Sequence, residues 1–75
     1  MSRLKEFLNT SKFKMNYIDN NLNIVNYDEI VLVTSDKIIL LKENKTIVVK
    51  GSDLTLLKLL DSEVLISGMI KTIEL

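Results

Sequence analysis

Two runs, Ile47-Val48-Val49-Lys50-Gly51 and Val64-Leu65-Ile66-Ser67-Gly68, decide the fold. In each, a β-branched or aliphatic run meets one polar residue and then a glycine, and an apolar run restarts soon after. The two glycines lie 17 residues apart. Glycine reaches positive φ at no steric cost, so each marks a tight reversal or a bulge between strands. A compact strand–turn–strand module follows, rather than a catalytic scaffold. Gly51 and Gly68 are read as structural glycines in preference to points where a ligand backbone approaches.

Upstream of this pair the pattern is strand after strand. Phe13, Met15 and Tyr17 alternate with Lys12, Lys14 and Asn16, the period of two that suits a half-buried strand. Asp19-Asn20-Asn21 is a turn signal, since Asn and Asp tolerate the left-handed region. Leu22 to Asn26, Ile30 to Thr34 and Ile38 to Leu41 follow as short strands, and Glu43-Asn44-Lys45 turns the chain into Thr46 to Lys50. Leu54 to Leu60 suits helix or strand. Its shortness and the turn signals at both ends favour strand. Asp61-Ser62-Glu63 leads into Val64 to Ser67, and Gly68 into Met69 to Leu75. Connections this short predict an antiparallel meander or rolled sheet of about seven short strands.

Several strands are apolar on both faces, notably Ile30 to Val33, Ile38 to Leu41 and Ile47 to Val49. In an antiparallel sheet that predicts a sandwich, a rolled barrel, or a face that meets another chain. A chain of 75 residues has little material to cover both faces, so a homo-oligomer is expected.

Composition sets the remaining bounds. Ile, Val and Leu make up 28 of the 75 residues, ample for one core and contrary to disorder. Cys, His, Trp and Pro are absent, which excludes disulfides, thiol chemistry and zinc sites built on Cys or His. A reducing, intracellular setting fits. No apolar run nears the ~20 residues of a membrane-spanning helix, and a soluble chain is expected. Residues 1–14 carry Arg3, Lys5, Lys12 and Lys14 against Glu6, while the formal net charge of the whole is zero. The rest is therefore mildly acidic, which argues against nucleic-acid binding.

The chemistry-bearing residues form no recognised constellation. There is no P-loop, nucleophile elbow or dinucleotide fingerprint, and no enzyme activity, metal or cofactor is expected. Asp28-Glu29 and Asp61-Ser62-Glu63 read as solvated turn residues rather than paired catalytic carboxylates. Lys50, Lys58 and Lys71 read as outward positions that discourage edge pairing, and Tyr17 and Tyr27 as aromatics at the core rim. At the start of the chain, Leu4, Phe7 and Leu8 share the spacing of one helical face. A short amphipathic helix over residues 1–10 is expected, ahead of a single all-β domain over residues 11–75. That helix either caps the sheet or makes weak peripheral contact with an anionic membrane or a partner.

From Leu22 to the end the chain resembles the YabP/YqfC family of sporulation proteins, and the YqfC branch more closely. Ser35-Asp36-Lys37 leading into Ile38 to Leu41 carries the resemblance, with Ile47 to Gly51, Leu54 to Leu57 and Val64 to Glu74. The resemblance implies a non-enzymatic role in endospore formation. It places that role in the mother-cell cytoplasm, beside a membrane-bound sporulation partner of the YqfD type. It assigns no catalytic or ligand residues. The function expected is protein–protein assembly. Two alternatives are a self-assembling scaffold resembling the bactofilins, and a small-ligand-binding β-barrel. The first should repeat the glycine spacing several times, and the second should supply interior polar groups.

Overall fold

The structure is a computed structural model that describes residues 13–75. The helix expected over residues 1–10, and with it Leu4, Phe7 and Leu8, lies outside the described residues. Within them the chain is all-β, with six strands: β1 (Lys14–Ile18), β2 (Asn21–Val25), β3 (Glu29–Val33), β4 (Lys37–Lys42), β5 (Lys45–Leu59) and β6 (Glu63–Glu74). They form one open antiparallel sheet in the order β1-β2-β6-β5-β4-β3.

Local chemistry fixes the tight turns. β1 joins β2 through Asp19-Asn20, with φ of 52° and 63°, and β4 joins β5 through Glu43-Asn44, with φ of 52° and 65°. Two central residues at positive φ define the turn whose twist matches that of the flanking strands. Asn supplies the left-handed residue at low cost in both, in place of glycine.

The structure has six strands where about seven were expected, and neither Gly51 nor Gly68 ends a strand. Gly51 lies inside β5 and Gly68 inside β6, and the strand reading of Leu54 to Leu60 holds through Leu59 as part of β5. Register shifts mark irregularities along the β5–β6 pairing: the extra residue lies on β6 (Lys71) between Lys50 and Gly51, and on β5 between Ser52 and Thr55 and between Leu56 and Lys58. Each bulge adds a residue on one side and turns the ribbon. The meander is also broken once. β2 pairs with β6, not with β3, so the Asn26–Asp28 link leaves one part of the sheet and enters another.

Hydrogen bonds on either side of Tyr27 show how far the sheet bends. The Asn26 N–H donates to the Ser62 carbonyl at 2.6 Å, beyond the end of β5. Two residues later the Asp28 N–H donates to the Leu41 carbonyl at 2.8 Å, near the start of β5. A straight strand of 15 residues would hold its ends roughly 46 Å apart. Two residues of chain reach at most about 7 Å. β5 is therefore folded back on itself, and β6 with it.

The fold-back gives two half-sheets. β1, β2, Glu63–Ser67 of β6 and Thr55–Leu59 of β5 form one, and β3, β4, Lys45–Lys50 of β5 and Thr72–Glu74 of β6 form the other. Their inner faces meet in a single core. Leu22, Ile24, Val64 and Ile66 come from the β1–β2 half, and Ile38, Leu40, Ile47 and Val49 from the β3–β4 half. Ile24, Ile38, Leu40, Val49, Val64 and Ile66 are all 0% exposed. Each such side chain contributes roughly 1.5–3 kcal/mol through burial. Tyr27 and Leu54 close the core, and no buried side chain among the described residues is polar.

Candidate functional site

The inner faces are spent on the core, so the outer faces and the open ends carry whatever the chain recognises. The two outer faces differ. On the β1–β2 half, strand alternation points Asn21, Asn23, Thr55, Lys58 and Ser67 outward, with Val25 and Leu65 among them. The Asn23 Nδ2 donates to Glu63 Oε2 at 3.0 Å across this surface. Polar side chains interrupt this face, on which Ile18, opposite Asn21 and 67% exposed, also lies.

The outer face of the β3–β4 half is aliphatic. Leu32 stands opposite Ile39, and Ile39 opposite Val48, a row of three that crosses three strands and reaches the β3 edge. Leu41 extends it. Charged groups rim the row: Lys37, Lys50 and Glu74 on one side, with Lys50 Nζ 3.2 Å from Glu74 Oε2, and Glu29 on the other. The row is thus an apolar centre inside a mixed-charge rim. Val31 and Val33 add exposed aliphatic surface along β3 at 53% and 45%.

β3 is also a free edge. The register slips between Ile30 and Leu32, leaving Val31 as a bulge. A bulged edge resists pairing with a further strand, so the face beside it is the better contact. β1 is the sheet's other outer edge, with Tyr17 and Ile18 exposed along it, while the part-free edges of β5 and β6 carry charge. Lys58 and Lys71 are exposed where β5 and β6 each have one neighbour, as the sequence suggested, whereas Lys50 sits within the sheet.

A second feature lies where the fold-back leaves the core open. Tyr27, Ile30, Leu59 and Leu60 floor an open groove of about 870 Å³, with Asp28, Glu29, Asp61, Ser62 and Glu63 around it. Leu59 and Leu60 are more than half exposed. The Tyr27 hydroxyl donates to the Leu60 carbonyl at 3.4 Å and ties the two sides together. Burial, and then the Asp61 charge, push the Tyr27 phenol above its ordinary pKa, so it stays protonated as a donor. Asp28 accepts from the Glu43 N–H at 2.7 Å and lies 3.8 Å from Lys42 Nζ.

The two acidic clusters that read as separate turns in the sequence thus share one groove. Residue order gives no sign of this, because the fold-back alone joins them. The aliphatic outer row was legible as strands apolar on both faces. Gly51 and Gly68 take neither surface. They face the opposing strand at the bend, where a Cβ on Gly68 would meet the Asp53 carbonyl oxygen at 2.6 Å and one on Gly51 would meet that of Met69. Tyr27 is buried and Tyr17 exposed, the latter donating to Asn20 Oδ1 at 3.1 Å.

Among the described residues, no group of three or more His, Cys, Asp or Glu side chains is placed to hold a metal ion. No helix of the described residues is long and apolar enough to cross a membrane. No known protein family, characterised protein or solved structure matches the chain.

Proposed function

We propose that this chain is a non-enzymatic assembly protein whose copies pack through the aliphatic outer face of the β3–β4 half. The observation that carries this is the contrast between the two outer faces of one sheet. Leu32, Ile39, Leu41 and Val48 form an aliphatic surface on one half, while asparagine, threonine, serine and lysine interrupt the other. Packing two such faces removes apolar area from water with no backbone left to satisfy. Burial of the row against a second copy also accounts for strands that lack a solvent side. The bulge at Val31 favours face packing over strand addition.

The biological setting rests on the resemblance to the YabP/YqfC family. The assembly would act in endospore formation, in the mother-cell cytoplasm, beside a membrane-bound partner of the YqfD type. The wholly apolar core supports an assembly role over a ligand-binding barrel, which needs interior polar groups to orient a ligand. Antiparallel pairing throughout supports a closed oligomer over a solenoid of repeated rungs.

The test is solution mass by light scattering across a concentration series, for the native chain and two variants. The native chain is expected at a small multiple of 8.6 kDa. Ile39→Lys puts a charge at the centre of the aliphatic row and is expected to give monomer. Asn23→Lys, on the polar outer face, is expected to leave the mass unchanged. A native chain that is monomeric at every concentration would overturn the proposal.

A further inference from the structure

We infer that the groove between the half-sheets is the docking site for the chain's own basic N-terminal segment, residues 2–8. This interaction does not depend on the assembly face, with which the groove shares Glu29 at its rim.

The register of the sheet places the segment's exit at the groove. Lys14, the first residue of β1, stands opposite Val25, and Val25 stands opposite Glu63. Adjacent strands lie about 4.8 Å apart, so Lys14 is roughly 10 Å from Glu63, which lines the groove. β1 runs away from that end, so the preceding residues leave the sheet beside it. Residues 9–13 span up to about 16 Å when extended, enough to carry residues 2–8 across the gap.

Chemistry matches at both levels. Ser2-Arg3-Leu4-Lys5-Glu6-Phe7-Leu8 has three large apolar residues and two cations against one acid. The groove offers Tyr27, Ile30, Leu59 and Leu60 as floor and Asp28, Glu29, Asp61 and Glu63 as rim, with no cation among its lining residues. Leu59 and Leu60, otherwise left in water, are the surface that Leu4, Phe7 and Leu8 would cover. Arg3 and Lys5 would neutralise a rim on which only Asp28 has a cation within reach among the described residues.

The absence of tryptophan makes a single reporter clean. Phe7→Trp in the full chain should emit at short wavelength and be quenched by acrylamide several-fold less than a free indole. Adding Glu29→Lys and Asp61→Lys, both at exposed positions, should return emission and quenching to solvent values while the far-ultraviolet circular dichroism is unchanged. The native-rim emission should not depend on protein concentration. Three results would overturn the inference: a solvent-exposed indole with the native rim, protection indifferent to the two charge reversals, or protection that appears only with rising concentration or with added anionic phospholipid vesicles. The third would assign the segment to a neighbouring copy if concentration drives it, or to a membrane if the vesicles do.

Discussion

Gly68→Val is expected to lower the stability of the chain by about 2–6 kcal/mol, and Gly51→Val by about 1–3 kcal/mol. Gly68 holds φ at +131°, which side-chain-bearing residues rarely adopt, and its missing Cβ is what lets the Asp53 carbonyl approach. Backbone strain of that kind costs about 1–3 kcal/mol, and forcing extra atoms into a closed space about as much again. At Gly51 the second cost applies alone, against the backbone of Met69 and Ile70. A domain of 75 residues holds roughly 4–11 kcal/mol in total. Urea titration should show the midpoint falling for both variants, furthest for valine at 68, with alanine there intermediate. A Gly68→Val chain with a native midpoint would mean that the bend does not require this close approach.

Ile66→Ala is expected to cost about 2–5 kcal/mol, while Leu65→Ala costs about 1 kcal/mol. The two residues are adjacent but face opposite ways. Ile66 is 0% exposed between Leu22 on β2 and Leu56 on β5, within the core. Leu65 lies half-buried on the polar outer face beside Asn23 and Lys58. The difference between the variants, read from the same denaturant titration, reports the period-two assignment of β6. Equal losses would mean that both faces of this strand are covered, and that the β1–β2 half also packs against something.

Much of the fold was legible because strand alternation and turn chemistry are local. Met15, Leu22, Ile24, Ile38 and Leu40 declare their faces by spacing, and Asp19-Asn20 and Glu43-Asn44 declare their turns. The glycines were legible as special positions, but their consequence was not. A bulge and a reversal need the same residue, and only the partner strand decides between them. β5 and β6 pair across both glycines, so the chain bends there and continues. The crossover at Tyr27 was hidden for a similar reason. Three residues between strands usually make a hairpin, yet Asn26 bonds to Ser62 in the β5–β6 turn and Asp28 to Leu41 on β4. The aliphatic face survived from sequence to structure because it needs no long-range information. The groove did not, since Asp28 and Asp61 become neighbours only through the fold-back.

The assembly face is tested most directly by nuclear Overhauser contacts between copies, in a sample that mixes methyl-labelled with unlabelled chains. The expected result is intermolecular contact to the methyl groups of Leu32, Ile39, Leu41 and Val48, with none to Val25 or Leu65 on the opposite outer face. Contacts confined to Val25 and Leu65, or no intermolecular contact at any methyl group, would contradict it.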